Sequence, residues 1–406
     1  MKIAIILNSF PEISEKFLLN HIVGALEAGQ DITVFAAHRP MNPVRHELFD
    51  RHKVHECVRY VDIPRNLKRR FLEAPLLVMK LFVRNPRAAL EALNIRKYRT
   101  VARNIKLLYF GSAFSDEQKY DLVHCHFGPN GLVGAYLKTC GFVRALVTTF
   151  HGSDINTYPA RFGSDVYSQL YRTADSITAN TEFTKSKIMA NGCDPEVITV
   201  IPVGLVLADF DNIDRSRVKP HSVLTVGRLE EKKGHRYALE AIASLIPSIP
   251  DIHYFIAGDG SLRPSLERRA AELGIEAHVT FLGVVTGDQV RSLYEMSEIF
   301  TLPSVTASNG DMEGQGLVLQ EAQMCMLPVV TTRHNGIPDG LVDGTTGFLV
   351  PEKDPEALAD RINYVLCNPE IGRAMGVEGR SFVSTKYDVR ALTSVFAALY
   401  ARILDQ

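Results

Sequence analysis

Short apolar segments alternate with longer stretches of helical periodicity in this chain, and the alternation runs through twice. In the first half it takes in Ile3 to Leu7, a helix from about Ser14 to Ala28, Ile32 to Ala36, Leu122 to Cys125, a helix from about Gly131 to Lys138, and Leu146 to Phe150. It restarts at Ser222 to Val226, followed by a helix from about Gly234 to Leu245, His253 to Ile256, a helix near Ser265 to Leu273, His278 to Phe281 and Ile299 to Leu302. Such a pattern builds βαβ units around parallel sheets, so the expected fold class is α/β with two Rossmann-like, doubly wound domains facing across a cleft. A length of 406 residues suits two domains of roughly 150 to 200 residues each. Pro202-Val203-Gly204 and the polar run from Asp209 to Pro220 read as a linker and hinge. The expected division is residues 1–208, residues 209–385, and a last helix in 386–406 crossing back to the first domain.

Several function classes fall away on composition. With 45 basic against 46 acidic residues, no whole-chain charge points to nucleic acid. No run reaches the roughly 18 apolar residues of a spanning helix; Leu72 to Val83 is interrupted by Glu73, Pro75 and Lys80. Ile3 to Leu7 is too short for a signal-peptide core, and the six scattered cysteines suit reduced thiols packed in a cytoplasmic protein. One segment departs from this balance. Arg65 to Lys106 carries twelve basic residues and two acidic ones, interleaved with Phe71, Leu76, Leu77, Leu81, Phe82 and Tyr98. It reads as one or two basic amphipathic helices, lying either on an anionic membrane surface or against their own domain.

Three constellations carry chemistry. Glu313-Gly314-Gln315-Gly316-Leu317 leads into Val318-Leu319-Gln320-Glu321, which sets seven residues between two glutamates. A helix starting near Gly316 would offer its first backbone N–H groups to phosphate. Glu313 could then hold the hydroxyls at one end of a ligand and Glu321 a vicinal diol at the other; the bland alternative is a capped surface helix. Gly227-Arg228-Leu229, followed by Lys232-Lys233-Gly234, stands after a strand, where open α/β sheets bind ligands. Arg228 can fork onto two phosphate oxygens while Lys233 adds a point charge. His151, in Thr149-Phe150-His151-Gly152-Ser153-Asp154, ends a strand of the first domain, and its His-Gly turn is expected to expose the imidazole and a backbone amide. Gly258-Asp259-Gly260 forms a tight turn that lets backbone approach a ligand. The single DxD triplet, Asp209-Phe210-Asp211, falls in the linker, so no metal site is expected.

Together these groups resemble glycosyltransferase family 4, the retaining family of the GT-B fold. The likeness extends to Asn335-Gly336-Ile337-Pro338-Asp339, to Asp343-Gly344-Thr345-Thr346-Gly347-Phe348-Leu349-Val350, and to the opening Phe10-Pro11 through Ser14-Glu15-Lys16-Phe17. That opening and Cys125-His126-Phe127-Gly128 resemble the branch that builds bacterial exopolysaccharides of the colanic-acid type. The resemblance implies that Arg228 and Lys233, beside Gly227 and Gly258, bind the diphosphate of a nucleotide sugar, Glu313 holds the transferred sugar and Glu321 the ribose. It also implies that the amides of Gly316, Leu317 and Val318 meet phosphate or sugar, that the base lies near Phe281 to Val285 with Val284 central, and that His151 contacts the sugar. Gln315 stands where the family commonly has an aromatic residue. Ser14-Glu15 stands where many members have a Gly-Gly pair, so Ser14 and Glu15 are expected on the acceptor side.

The activity that the resemblance implies is retaining transfer of a hexose, glucose first, from a uridine diphosphate donor to a saccharide or lipid-linked oligosaccharide. No metal or other cofactor takes part, and the protein acts in the cytoplasm or peripherally on the inner membrane face. A nicotinamide dehydrogenase is disfavoured because Asn8-Ser9-Phe10-Pro11, and no GxGxxG, comes after the first strand. A sugar phosphorylase would need a pyridoxal phosphate lysine. A non-catalytic sugar-nucleotide sensor or assembly partner with a degenerate site is the alternative of another class, and Gln315 is its one hint.

Overall fold

The computed structural model describes residues 1–12, 15–40, 47–117 and 119–405. Two compact units divide it, residues 1–204 with 389–406 and residues 205–388. The two units meet at Gly204–Leu205 and Asp388–Val389. Leu205 donates its N–H to the Tyr387 carbonyl at 2.7 Å and pairs with Asp388 in a short parallel bridge, which fixes both crossings at one place.

The first unit is a seven-stranded sheet of β1 (Lys2–Ser9), β2 (Asp31–His38), β3 (Val58–Tyr60), β4 (Tyr120–His126), β5 (Val143–Phe150), β6 (Ser176–Ala179) and β7 (Ile198–Val200), in the order β3-β2-β1-β4-β5-β6-β7. Every pairing is parallel. Ile3 through Leu7 are buried without a break, as a central parallel strand covered on both faces requires. Alternate residues go to opposite cores. Ala4, Ile6, Val123, Cys125 and Leu146 face one, with helix Gly128–Thr139 among its covers. Ile3, Ile5, Leu7, Leu122 and Val147 face the other, which Phe396, Leu399, Tyr400 and Ile403 of the final helix Val389–Leu404 help to close.

In the second unit β8 (Ser222–Val226), β9 (His253–Ala257), β10 (Val279–Gly283), β11 (Ile299–Leu302), β12 (Val329–Thr332) and β13 (Gly347–Val350) form a six-stranded parallel sheet ordered β10-β9-β8-β11-β12-β13. Each sheet winds outward both ways from its first strand, so the switch points lie between β1 and β4 and between β8 and β11. Ligands of open α/β sheets bind outside the strand ends at such points.

Asp209 to Pro220 is not a free linker. Its Phe210 and Ile213 pack on the second unit's core, and the Arg215 guanidinium donates to the carbonyls of Tyr294 at 2.7 Å and Ser297 at 2.7 Å. The basic segment forms Leu67–Arg84, Pro86–Ala92 and Ile95–Arg103, before Lys106–Ser115. Asn66, Asn85 and Asn94 cap the first three through side-chain oxygens that accept from Lys68, Ala88 and Lys97 N–H groups. Much of its charge is neutralised locally: Lys80 and Arg84 pair with Asp116, Arg99 with Asp165, Arg69 with Glu73 and Lys97 with Glu91. No helix among the described residues is long and apolar enough to cross a membrane. Of the six cysteines, Cys125, Cys140, Cys193 and Cys325 are buried, whereas Cys57 is half-buried and Cys367 is exposed.

Candidate active site

At the end of β8 the chain turns through Gly227-Arg228-Leu229 into a short 3-10 turn, Glu231–Lys233, and then helix His235–Leu245. Close backbone approach shapes this corner. A Cβ on Gly258 (φ 141°) would stand 1.9 Å from the Gly227 carbonyl oxygen, and one on Gly234 (φ 68°) would stand 1.8 Å from that of Pro303, so neither position admits a side chain. Lys233 is directed along Gly227, whose own Cβ would meet its Cε at 3.6 Å. Its ammonium forms an ion pair with Glu313, and Lys232 pairs with Asp311 at 3.0 Å. Two lysines from the β8 loop are thus matched by two carboxylates from the long loop after β11. Glu231 binds the same loop by accepting from the Ser308 N–H at 2.9 Å and its hydroxyl at 2.7 Å.

The glutamate loop is held from behind. The Glu313 N–H donates to His334 Nε2 at 3.1 Å, and the opposite nitrogen, Nδ1, lies 2.6 Å from Glu352. With Nε2 accepting, Nδ1 carries the proton and donates to the Glu352 carboxylate. Burial pushes the Glu313 carboxyl up, but the charges of Lys233 and Lys232 outweigh it and hold the group below its usual range. Gly316 (φ 72°) then swings the chain into helix Leu317–Met324. The leading N–H groups of that helix, Leu317 and Val318 among them, have no intrahelical acceptor. Gln315 is buried. Glu321, farther along the helix, accepts the Tyr294 hydroxyl at 3.0 Å.

Gly227, Arg228, Lys233, Gly258, Glu313 and Gly316 therefore converge at one corner of the second unit, the end of the β8–β11 switch point. Arg228 is 61% exposed and, among the described residues, anchored to Glu230 alone, at 2.6 Å, so its fork can turn onto another anion. Val284, just past β10, projects into solvent. His235 has no counterpart among the sequence-derived candidates: its Nε2–H donates to the Arg228 carbonyl at 3.0 Å, and burial lowers its imidazole to about 4, so it supports the loop as a neutral ring. Sequence reasoning misses His334 and Tyr294 too. Only their proximity to Asn335-Gly336 and to the helical pattern before β11 could draw attention to them. At the DxD triplet the Arg291 guanidinium donates to the backbone carbonyls of Asp209, Asp211 and Asn212.

In the first unit, His151 follows β5 but its surroundings differ from the expected exposed turn. Its ring stacks on His126 with centroids 5.3 Å apart and meets Phe17 and Phe127. Burial, then the charge of His21, lower it to about 3. The backbone amide expected to be exposed is occupied: the His151 and Gly152 N–H groups both donate to Asp154 Oδ1, at 3.0 and 2.9 Å, and the Gly128 N–H donates to Oδ2 at 2.9 Å. Burial nevertheless raises the Asp154 carboxyl to about 6. Asp154 is thus the clamp that shapes both the β4 and β5 exits. Glu15 begins helix Lys16–Glu27, and burial followed by the charge of Glu12 raises it to about 7. Ser14 lies outside the described residues. His21, His124 and His126 bring ring nitrogens within 4.8 Å of one another. Both His124 nitrogens are engaged, with Tyr400 and Thr149 at 2.7 Å each.

Two family models match the chain, one on each side of 208/209. Residues 14–208 match the family model described as Glycosyltransferase Family 4, and residues 209–382 match Glycosyl transferases group 1. A putative colanic acid biosynthesis glycosyltransferase, WcaL of Salmonella typhimurium, is 29% identical, covering 99% of this chain and 100% of its own. The amylovoran biosynthesis glycosyltransferase AmsK of Erwinia amylovora is 30% identical over 88% of this chain and 89% of its own. Among solved structures, Anabaena HepE in complex with UDP and glucose superposes with a TM-score of 0.73 at 19% identity, over 99% of this chain and 100% of its own. Sucrose-phosphate synthase from Thermosynechococcus elongatus gives 0.72 at 20% identity, over 100% and 99%. Both share the two-sheet GT-B fold.

Proposed function

Because this chain belongs to the glycosyltransferases that join a family 4 domain to a group 1 domain, we propose that it is a retaining hexosyltransferase of exopolysaccharide biosynthesis. The donor is a nucleotide diphosphate hexose, UDP-glucose first, and the acceptor is a saccharide or lipid-linked oligosaccharide at a membrane face. The observation that carries this reading is the buried pairing of Lys233 with Glu313 beside an exposed Arg228 at the β8–β11 switch point. Two cations there can take a diphosphate, while a carboxylate fixed at its backbone by His334 can take two adjacent sugar hydroxyls.

The bond from the anomeric carbon to the β-phosphate oxygen breaks as the acceptor hydroxyl attacks from the face the leaving group vacates. Arg228, Lys233 and the N–H groups of Gly316, Leu317 and Val318 stabilise the departing diphosphate, the largest share of catalysis in such a step. The acceptor proton passes to that phosphate, so no separate carboxylate base is needed. Glu321 binds the ribose diol, Gly227 and Gly258 leave room for phosphate, Gln315 shapes the sugar pocket and Val284 lies along the base. His151 takes the sugar-side role that the family resemblance implies, and Glu15 with Ser14 faces the acceptor. With fixed cations at the diphosphate, no metal is required. Nuclear magnetic resonance of the product made from α-configured UDP-glucose in the presence of chelator tests the scheme: an α-linked product supports it, whereas a β-linked product or abolished turnover refutes retention or metal independence respectively.

A further inference from the structure

Helix Leu67–Arg84 buries one apolar stripe, through Leu77, Val78 and Leu81, against the first unit's core. A second stripe faces outward, and nothing in the described chain covers it: Leu72 is 81% exposed and Val83 79%, with Leu76 between them. Beside this stripe lies an open apolar trough of about 530 Å³, lined by Phe71, Val78, Met79, Phe82, Leu93 and Leu108. Contiguous exposed apolar surface of this kind marks an interaction site.

Two cations are chain neighbours of residues that line the trough. Arg70, next to Phe71, donates to the carbonyls of Pro64 and Asn104. Lys106, next to Ile105 on the trough wall, turns inward; it is only 8% exposed, and its ammonium donates to Asn130 Oδ1 at 2.9 Å. No carboxylate among the described residues pairs with it, whereas Lys80 and Arg84 pair with Asp116, Arg99 with Asp165 and Arg69 with Glu73. His38, at the end of β2, is pushed down by burial and then by the charges of Lys106, Arg65 and Arg70, so all four groups share one neighbourhood. A buried ammonium with cationic neighbours and no counter-ion is costly and calls for an anion. The position also fits a ligand site, beside the β1–β4 switch point. Asn130 links it onward, donating to the His126 carbonyl at 2.9 Å, and His126 Nδ1 lies 3.0 Å from His151 Nε2.

We infer that Lys106, with Arg70 and His38, holds the phosphate of a phosphorylated long-chain lipid alcohol that carries the acceptor sugar, and that the trough of Phe71, Phe82 and Leu93 holds its hydrocarbon chain. The inference rests on the proposed lipid-linked acceptor and names the residues and headgroup chemistry that would select it. A flat anionic membrane surface would instead meet the exposed Arg65, Lys68, Arg87, Arg96 and Arg103, whereas the buried Lys106, only 8% exposed, suits a single phosphate carried on a chain.

Calorimetric titration of the full chain with farnesyl diphosphate, farnesol and inorganic diphosphate, in saturating UDP to occupy the donor residues, tests it. Farnesyl diphosphate should bind at least about tenfold more tightly than either fragment. Lys106→Met, checked for folding by circular dichroism, should weaken it by about tenfold or more, the worth of one charge-assisted contact, while UDP binding stays unchanged. Phe82→Ser, at an exposed position, should weaken farnesyl diphosphate but not inorganic diphosphate. Equal affinity in wild type and K106M, or fragments that bind as tightly as the whole, would overturn the assignment. Binding of farnesyl diphosphate without UDP would sustain it and contradict the donor reading; UDP binding without farnesyl diphosphate would overturn it alone.

Discussion

Lys233 and Glu313 each depend on the other. Both side chains are largely buried, at 12% and 14% exposure, and a carboxylate left there without its ammonium is an uncompensated buried charge. Lys233→Ala should therefore lower stability by about 3 kcal/mol and turnover by about 10² to 10³-fold through loss of leaving-group stabilisation. Adding Glu313→Gln in that background should recover much of the melting temperature and none of the turnover. Thermal unfolding and initial rates separate the two effects, and a K233A protein with near-normal turnover would remove Lys233 from the diphosphate. The glutamates and the Gly-Arg/Lys-Gly run are legible in the sequence because their spacing is local. His235, His334 and Tyr294 are not, since each acts through a contact with a residue its own neighbours do not reveal: His334 stands 21 positions from the amide it accepts.

Gly234 shows how an element fixes a side chain. Its φ of 68° and the Pro303 carbonyl 1.8 Å from any Cβ leave no room for Gly234→Ala. The left-handed backbone alone costs about 1 to 2 kcal/mol, and relieving the clash must move Lys233. Lower stability together with weaker nucleotide binding is expected; unchanged binding by calorimetry would show that the loop tolerates the shift. The histidines around the β4 and β5 exits set a pH dependence. Burial lowers His21 to about 4 and His151 to about 3, and lowers His124 and His126 well below their ordinary 6.5. Below pH 6.5 the unfolded chain takes up protons that the folded unit refuses. The stability each ring contributes is complete above 6.5 and is lost toward its folded value, at about 1.4 kcal/mol per pH unit. Asp154, raised to about 6, and Glu15, raised to about 7, act oppositely but are only two groups against four. Acidification from pH 6.5 toward 4.5 should therefore lower the first unit's melting temperature, and a flat or rising profile would contradict this. β8 and β11 are readable at their bounds because both are compact apolar runs. β3, β6, β7, β12 and β13 escape such a reading: Arg59, the threonines of β6, β7 and β12, and Gly347 break or border their apolar runs, and they resemble loop edges until their neighbours pair with them.

For the molecule taken whole, the doubled βαβ pattern announces two parallel-sheet bodies, and the sheets have the strand orders that such winding produces. Local composition misleads where tertiary contacts decide. Asp209 to Pro220 is polar enough to read as a linker, yet Arg215 draws it onto the second unit through carbonyls some 80 positions away. The local excess of charge in residues 65–106 shrinks once Asp116 and Asp165, outside that window, fold onto it. What survives as unusual is the outward apolar stripe and the inward Lys106. Nucleotide recognition is assigned wholly to the second unit, so it can be measured without any acceptor. Calorimetric titration with UDP, GDP and ADP, first with chelator and then with magnesium, is the measurement to make. UDP should bind without metal, and Arg228→Ala or Glu321→Ala should each weaken it by about tenfold or more. Failure of every nucleotide to bind, or binding that appears only with a divalent ion, would contradict a metal-free nucleotide site in which Arg228 and Lys233 hold the diphosphate and Glu321 the ribose.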